Sequence, residues 1–304
     1  MNYDVVVVGS INMDVIVDTP KYPAYGETIF CNSVAMTPGG KGANQAVAVA
    51  NLGKKTCLVG AVGNDSAGTQ LINNLQSKGV DTAHIIRSEE SGTGTFVAMV
   101  DSTGENTMVG TKGANDSLSK EYMEEVFNKI NAKILLIQME TSPESIIAAM
   151  KVAKERNMYV ILDPAPADGI FDEAFKYADL VTPNKQETQR ITGIDVTDEI
   201  SALEAAKKLN ELGIPDVIVK MGENGSLVYQ NGKSTVVDAI KVKAVDTVGA
   251  GDCFAGALAN SYLDTNDLVE AVKFASVAAG IKVSRSGGQD SIPTLSEVQE
   301  YLVK

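Results

Sequence analysis

The segment ILLIQMETSPESIIAAMKVAKERNMYVIL, residues 134–162, decides the fold class. It opens on the apolar run Ile134–Ile137 and closes on Tyr159–Leu162, and both runs have the length of buried strands. Residues 143–156 between them show the apolar spacing of a helix. Strands that are apolar throughout and alternate with helices are typical of a parallel sheet with helices on both faces. The segment therefore predicts an α/β fold.

The same alternation extends towards both ends of the chain. Further strands are predicted at Val5–Val8, Thr56–Val59, Leu180–Thr182 and Val217–Val219, with a hairpin beginning at Ser226. The stretch 38–45 is predicted to open a helix that stops at Gly53, and further helices are predicted at 67–77, 119–131, 172–177, 184–192, 198–212, 251–263, 267–283 and 294–303. The prediction is a three-layer α/β sandwich with a mainly parallel central sheet, formed by residues 1–304 as a single domain.

Two segments depart from this rhythm, at roughly 13–36 and 94–109. Their short runs alternate apolar and polar residues, a pattern typical of exposed strands. Glu27–Cys31 is predicted as one of these strands, and a hairpin is expected to turn at Ser102–Glu105. We expect the two segments to pair into a small β-sheet outside the main core.

Composition and charge exclude several classes of partner. The chain has 304 residues, 44% of them hydrophobic, and a formal net charge of −13 with a pI near 4.6. Nucleic acids and anionic membranes are bound by basic surfaces, so neither is expected as a partner. The first residues lack a basic region, and no apolar stretch approaches the about 18 residues of a membrane helix. A cytoplasmic location is expected.

Cysteine and histidine residues limit the chemistry. Cys31, Cys57 and Cys253 are too few and too scattered for a disulfide framework or a zinc site, and are predicted as small core residues. A Ser-His-Asp or Cys-His mechanism would have to use His84, the single histidine. Because His84 lies in a segment that resembles the start of a strand, we expect its role to be structural.

The heptapeptide DTVGAGD, residues 246–252, is the strongest candidate site. Gly249, Ala250 and Gly251 leave backbone N–H groups unshielded where an apolar helix begins, and free amides at a helix start attract phosphate. Asp252 would face that phosphate, where a carboxylate can accept the proton of an attacking hydroxyl. The same seven residues also allow a simpler interpretation, in which Asp252 caps the helix.

Polar side chains follow most of the predicted parallel strands. In open parallel sheets, ligands bind beyond the carboxyl ends of the strands, so these residues are expected at one edge. They are Asn12, Asp14, Glu140, Asp163, Asn184, Glu187 and Lys220, the last followed by Gly222, and they are joined by Lys41 and Asn44 in the first turn of a glycine-preceded helix. Asn12, Asp14, Asn44 and Glu140 are hydroxyl-binding types, whereas Asn184, Glu187, Lys220 and the glycines suit phosphates with a metal ion. A polyol and a nucleoside triphosphate would use both groups.

Two familiar phosphate loops do not fit. Gly232-Lys233-Ser234 resembles the end of a P-loop, but Leu227 stands where glycine is required, and Asn231-Gly232 is typical of a hairpin turn. Gly249-Ala250-Gly251 could begin a dinucleotide fingerprint, but Phe254 occupies the third glycine position. A dehydrogenase is therefore the weaker alternative.

Several motifs together resemble one family, the PfkB carbohydrate kinases. The heptapeptide 246–252 is similar to the family's second motif and GGKGANQA, residues 39–46, to its first. Within the family, the chain resembles the ribose-phosphorylating branch through GSINMD (9–14), QME (138–140), DPAPA (163–167), TPN (182–184) and GGQDSIP (287–293). The resemblance runs nearly end to end.

This resemblance implies phosphoryl transfer from ATP to the primary 5-hydroxyl of D-ribose. Asp252 would be the general base, and the amides of Gly249, Ala250 and Gly251 would form the anion hole. The expected sugar ligands are Asn12, Asp14, Gly40, Lys41, Asn44, Glu140 and Asp252. The expected nucleotide ligands are Asn184, Lys220, Met221, Gly222, Glu223, Asn224, Gly225, Gly251, Asp252 and Ser276. Glu187 would organise Mg²⁺ through water.

The resemblance also implies a potassium site, a lid and a dimer. K⁺ would be bound beside the anion hole, mainly by the carbonyls of Asp246, Val248, Lys282, Arg285 and Gly287, with Ser291. The segments at 13–36 and 94–109 would close over the sugar and pair with a second subunit, giving a homodimer.

Two alternatives to a ribose kinase stay open at this point. One is a kinase of the same family for another acceptor, such as 2-deoxyribose, fructose or a nucleoside. The other belongs to a different class, a sugar- or nucleotide-binding protein without turnover. The presence of Asp252 favours a kinase over the second alternative.

Overall fold

The computed structural model describes residues 1–103 and 105–303. The described residues form thirteen strands and nine α-helices. The strands are β1 (Val5–Val8), β2 (Asn12–Asp18), β3 (Ser33–Gly39), β4 (Thr56–Gly63), β5 (Ile85–Ser88), β6 (Gly94–Val100), β7 (Asn106–Thr111), β8 (Ile134–Ile137), β9 (Tyr159–Leu162), β10 (Leu180–Val181), β11 (Asp216–Lys220), β12 (Ser226–Gln230) and β13 (Lys233–Val237). The helices are α1 (Lys41–Asn51), α2 (Ser66–Ser77), α3 (Lys120–Lys129), α4 (Pro143–Glu155), α5 (Lys185–Thr192), α6 (Glu199–Glu211), α7 (Ala250–Thr265), α8 (Leu268–Val283) and α9 (Leu295–Leu302). Residues 172–177, predicted as a helix, form a 3₁₀ helix.

Nine strands form the central sheet, in the order β13-β12-β11-β10-β9-β8-β1-β4-β5. The strands from β11 to β5 along this order pair in parallel, and β12 and β13 add an antiparallel hairpin at one edge. Asn231 and Gly232 connect that hairpin with φ angles of 52° and 75°. Two positive φ angles are what a two-residue hairpin turn requires, which confirms that this segment is not a P-loop.

Alternate residues of the parallel strands pack into two separate cores. In β1, Val6 and Val8 join the core covered by α3, α4 and α6, whereas Val5 and Val7 join the core covered by α1, α2, α7 and α8. The other parallel strands alternate in the same way, which explains why they are apolar throughout. The α/β prediction is confirmed, with one helical layer on each face of a mainly parallel sheet.

The remaining four strands form a second sheet, in the order β3-β2-β6-β7. The predicted small sheet is therefore present, and its strands extend to Gly39 and Thr111, beyond the expected bounds. The prediction of a strand at Glu27–Cys31 is wrong. The last β2–β3 pair is Asp18 with Ser33, so residues 19–32 leave the sheet as a connecting loop. Gly104, within the expected hairpin turn, lies outside the described residues.

Two further sequence predictions concern burial. Cys57 and Cys253 are buried as expected, but Cys31 is exposed because it lies in the loop that leaves the small sheet. His84 is buried against Tyr3 at the side of the molecule near β4, which agrees with a structural role. Among the described residues, no helix combines the length and apolarity required to cross a bilayer.

Candidate active site

The start of α7 lies at the carboxyl ends of the parallel strands, facing the start of α1. Gly249 caps α7 with a φ angle of 74°, in the left-handed region that glycine adopts without strain. The cap uses no side chain, and the Ala250 amide donates to the carbonyl oxygen of Thr247 at 3.2 Å, so a ligand at this helix start would share that amide with the preceding turn. Asp252 lies in this first turn and is buried. The start of α7 thus places the Asp252 carboxylate beside a helix end without a side-chain cap, and the binding of a phosphate there stays a prediction.

Two amides from α1 hold the Asp252 carboxylate. Asn44 Nδ2 donates to Asp252 Oδ2 at 2.8 Å, and Gln45 Nε2 donates to Oδ1 at 3.3 Å. Neutral amide donors orient the carboxylate and leave its negative charge in place. An ion pair with arginine or lysine would neutralise that charge. Each carboxylate oxygen has two lone pairs, so Asp252 keeps acceptor capacity for a substrate hydroxyl.

A chain of amides, of which Gln289 is buried and Asn44 and Asn74 are half-buried, orients Asn44 in turn. Asn44 Oδ1 accepts from Gln289 Nε2 at 3.0 Å, and Gln289 Oε1 accepts from Asn74 Nδ2 at 2.7 Å. The sequence analysis did not assign Gln289 to the site. This chain fixes which end of the Asn44 amide faces Asp252.

Gln45 links Asp252 to a second carboxylate. Its Nε2 also lies 3.0 Å from Asp163 Oδ2, and its Oε1 accepts from Gln138 Nε2 at 2.6 Å. Asp163 Oδ1 accepts from Lys220 Nζ at 2.9 Å. Gln45 and Gln138 were missed by the sequence analysis. The sequence offered one signal for these two residues, because each is a glutamine within or directly after an otherwise apolar element.

Lys220 reaches the start of α7. A Cβ atom on Gly251 would lie 3.8 Å from Lys220 Nζ, so the ammonium lies in contact distance of the anion hole. The pKa of Lys220 is raised: burial acts to lower it, but the nearby carboxylates of Asp163 and Glu187 outweigh burial. A positive charge next to free helix amides strengthens an anion site.

Asp14, Lys41 and Glu140 converge on the same space from β2, the start of α1 and the end of β8. Glu140 Oε2 accepts from Ser10 Oγ at 2.5 Å. Gly39 admits the Asp14 side chain, because a Cβ on that glycine would lie 2.0 Å from Asp14 Oδ2. The small sheet thus carries Asp14 to the edge of the main sheet. Asp14, Glu140 and Asp252 form an acidic cluster around Lys41.

The pKa values in this cluster reflect burial and repulsion. Burial raises the pKa of Asp14 to about 6, and the charges of Glu140 and Asp252 add to the rise. Burial also raises the pKa of Glu140. For Lys41, burial acts to lower the pKa, but the attraction of Asp252, Glu140 and other carboxylates raises it on balance. Lys41 is therefore held protonated among carboxylates that can accept hydrogen bonds from hydroxyl groups.

Asn12 is placed differently from the other predicted sugar ligands. It is buried at the start of β2, and its Oδ1 accepts from Asn115 Nδ2 at 2.7 Å. Asn115, which also accepts the Ile11 amide at 2.8 Å, was not predicted. Asn12 consequently has its amide nitrogen, a donor, to offer a ligand. Gly40 lies beside it with its backbone close to Ser10 and Ile11.

The predicted nucleotide residues form the neighbouring part of the edge. Asn184 caps α5 in a reciprocal capping box with Glu187. Asn184 also forms an isolated parallel β-bridge with Lys220. Gly222, Glu223 and Asn224 make an exposed 3₁₀ turn, which Gly225 follows. Met221 is buried, so its side chain packs in the core. Ser276 lies half-buried on α8, the helix that packs against β12 and β13.

Residues 2–295 match the family described as pfkB family carbohydrate kinase. This chain belongs to the pfkB family. It is 37% identical over 303 residues to a ribokinase of Haemophilus influenzae, covering 99% of each chain. It is 34% identical over 303 residues to a deoxyribokinase of Salmonella typhi, covering 98% of each. The structure of Arabidopsis thaliana ribokinase complexed with ribose and ATP superposes with a TM-score of 0.93 at 33% identity, covering 99% of each chain.

For a pfkB-family site, the residues present fit a Mg²⁺ ion carried by the nucleotide. Within the described part of the chain, no group of three or more histidine, cysteine or acidic side chains could hold a metal ion. Both oxygens of Glu187 already accept from Asn184, at 2.7 Å from its N and 2.8 Å from its Nδ2. Mg²⁺ in kinases keeps several waters and is held largely by substrate phosphates. Glu187 can therefore meet the ion through water.

The predicted K⁺ ligands of this pfkB-family chain do not fit that ion. The carbonyl oxygen of Asp246, the first of them, accepts from Lys282 Nζ at 3.0 Å. Lys282 was predicted to contribute its carbonyl, yet its side chain turns inward and is fully buried. A second cation on the same oxygen would lie close to the ammonium and be repelled by about 1–4 kcal/mol at 4 Å.

The acidic cluster of this pfkB-family chain should lower the free energy of unfolding of the ligand-free protein. Asp14→Asn is expected to stabilise the ligand-free protein at pH 7 and to have little effect at pH 4. The folded pKa of Asp14, about 6, exceeds the about 3.9 of an unfolded aspartate. The native state therefore binds more protons between these values, and the stability due to this carboxyl is lost as the pH rises through 6.

Urea unfolding of the wild type and the Asp14→Asn variant at pH 4 and pH 7 measures this effect. The expected result is a larger difference in the free energy of unfolding at pH 7. Equal differences at the two pH values would contradict the raised pKa of Asp14.

Proposed function

We propose that this chain transfers the γ-phosphoryl group of ATP to the 5-hydroxyl of D-ribose, giving D-ribose 5-phosphate and ADP. The observation that carries the proposal is the Asp252 carboxylate, oriented by Asn44 and Gln45 at the open start of α7. The likeness to ribokinases over nearly the whole chain supports the reaction and the acceptor.

The sugar would lie between the small sheet and α1. Asp14 and Glu140 accept hydrogen bonds from its secondary hydroxyls, and Lys41, Asn44 and Asn12 donate to its oxygens. This arrangement leaves the primary hydroxyl to point at Asp252. Hydrogen bonds to charged side chains fix the orientation of the sugar, which turns the transfer into a reaction between positioned partners.

The transfer then follows from the geometry at the start of α7. Asp252 accepts the proton of the 5-hydroxyl as the sugar oxygen bonds to the γ-phosphorus and the bond from phosphorus to the β,γ-bridging oxygen breaks. The amides of Gly249, Ala250 and Gly251 stabilise the charge on the transferred group, and Lys220 adds a positive charge beside them. Glu187 would hold Mg²⁺ through water, and the bound ion would supply charge neutralisation at the phosphates. The part of the nucleotide beyond the γ-phosphate would be bound by Asn184, residues 221–225 and Ser276.

The acceptor test compares D-ribose with 2-deoxyribose, fructose and adenosine. Release of ADP is followed for each, and the product is identified by phosphorus NMR. Ribose is expected to give the highest kcat/KM, because a site built to bind a hydroxyl rejects the analogue that lacks it. The deoxyribokinase relative makes 2-deoxyribose the second candidate. Preference for another acceptor, or binding without turnover, would overturn the proposal.

The small sheet would act as a lid that also joins two subunits. By strand alternation, the face opposite Asp14 includes Val34, Met36 and Val109. These side chains are 59%, 58% and 72% exposed in the single chain. A second copy of the sheet packed on this face would remove the apolar surface from water. Closing the lid would also exclude water from the γ-phosphate.

Met36→Lys is expected to convert a dimer into a monomer, because it places a charge within that apolar face. Analytical ultracentrifugation of both proteins measures the change. The matched control is Ile200→Lys on α6, at a side chain that is 79% exposed. A monomeric wild type, or a dimer that survives Met36→Lys, would contradict this interface.

A further inference from the structure

A lysine ammonium lies behind the anion hole. Lys282, in the last turn of α8, is among the largest fully buried side chains. Its Nζ donates to the carbonyl oxygen of Asp246 at 3.0 Å and lies 3.5 Å from Asp246 Oδ2. Buried lysines are rare unless a partner compensates their charge. Asp246 supplies that partner with both its carbonyl and its carboxylate.

Asp246 belongs to the loop that leads into the start of α7. Its Oδ1 accepts from the Val248 amide at 2.9 Å, which tightens the turn before Gly249. A Cβ on Gly249 would lie 3.9 Å from Lys282 Cε, 3.7 Å from Asn44 Nδ2 and 4.0 Å from Asp252 Oδ2. The lysine stem thus packs under the same glycine that Asp252 and its partner approach. Lys282 therefore contacts both the loop before α7 and the glycine at its start.

We propose that the Lys282 ammonium is the resident monovalent cation of this loop, in place of a bound K⁺. An ammonium group and a potassium ion carry the same charge and both bind carbonyl oxygens. The ammonium is covalently attached, so its position depends on the fold and not on the concentration of salt. This inference rests on the proposed phosphoryl transfer, and it predicts that turnover does not require K⁺.

The first test measures wild-type turnover of ribose in potassium chloride and in choline chloride at equal ionic strength. The two rates should agree within about twofold. Activation by K⁺ of about tenfold or more, the size expected when an ordering cation is missing, would overturn the inference. Absence of turnover in both salts would contradict the proposed function, and the melting experiment below would still decide the role of Lys282.

Two substitutions separate a cation role from a packing role. Lys282→Ala removes the charge and leaves a space beside the Asp246 carbonyl, whereas Lys282→Met removes the charge and fills the space. Without K⁺, both variants should lose about tenfold or more in kcat. Added K⁺, but not choline, should restore Lys282→Ala and leave Lys282→Met unrestored. Normal activity of Lys282→Met without K⁺ would assign Lys282 to packing alone, and loss of activity in both variants without rescue of Lys282→Ala by K⁺ would also overturn the inference.

Thermal melting without substrates gives a readout independent of activity. K⁺ should raise the Tm of Lys282→Ala relative to choline, because an ion that binds the folded state stabilises it. The Tm of the wild type should not respond. A wild type stabilised by K⁺ as strongly as Lys282→Ala would show that the ion binds beside the ammonium, and the inference would fail. The wild-type measurements hold even if a variant does not fold.

Discussion

Asp252→Asn should lower kcat by about 10³–10⁴-fold while ribose binding changes little. The asparagine keeps the size of the side chain and can still accept a hydrogen bond from Asn44. It cannot accept the proton of the 5-hydroxyl, so the loss falls on the chemical step. Steady-state kinetics gives kcat, and calorimetric titration with ribose gives the affinity independently of turnover.

The matched control for this variant is Asp264→Asn. Asp264 lies on the same helix, α7, but its carboxylate is 62% exposed and pairs with Lys54 at the surface. The control should keep normal kcat. Turnover of Asp252→Asn within a few-fold of the wild type would contradict the assignment of Asp252 as the base.

Asp14→Ala should raise the KM for ribose by roughly 10²-fold, with a smaller change in kcat. Each hydrogen bond between a hydroxyl and a charged group contributes about 1.5–3 kcal/mol, and the half-buried position of Asp14 favours the upper part of this range. The lid would also lose its polar link to the sugar. Initial rates across a ribose titration at saturating ATP separate KM from kcat.

Asp18→Ala is the control on the same strand. Asp18 is exposed at the far end of β2, where it accepts a hydrogen bond from Asn32 at 3.3 Å. Its removal should leave the KM for ribose unchanged. A KM for Asp14→Ala equal to that of this control would show that the sugar binds away from the small sheet.

Periodicity predicted most of the fold because the central strands are buried on both faces. Runs such as Val5–Val8 and Ile134–Ile137 have no polar position, and few structures other than an α/β sheet accept such runs in alternation with helices. The same signal fails for Glu27–Cys31. Its alternation fits a strand, but a strand also requires a partner, and the β2–β3 pairing ends before this segment.

In the site, too, residues placed by local sequence were predicted, whereas residues that act through long-range contacts were not. Asp252, Asp14 and Glu140 are carboxylates at strand ends or helix starts, so their sequence positions predict their place in the fold. Gln45 and Gln289 act through contacts across 207 and 245 positions of the chain. Local pattern carries no information on such contacts. The same holds for Lys282, because a sequence does not show whether a lysine near a helix end points into solvent or inward.

A crystal structure of this protein with D-ribose and a non-hydrolysable ATP analogue tests the central claim most directly. The 5-hydroxyl oxygen should lie about 2.6–3.2 Å from the Asp252 carboxylate, with the terminal phosphate of the analogue at the amides of Gly249, Ala250 and Gly251. A ribose whose 5-hydroxyl points away from Asp252, or a terminal phosphate bound elsewhere than at the start of α7, would contradict the account.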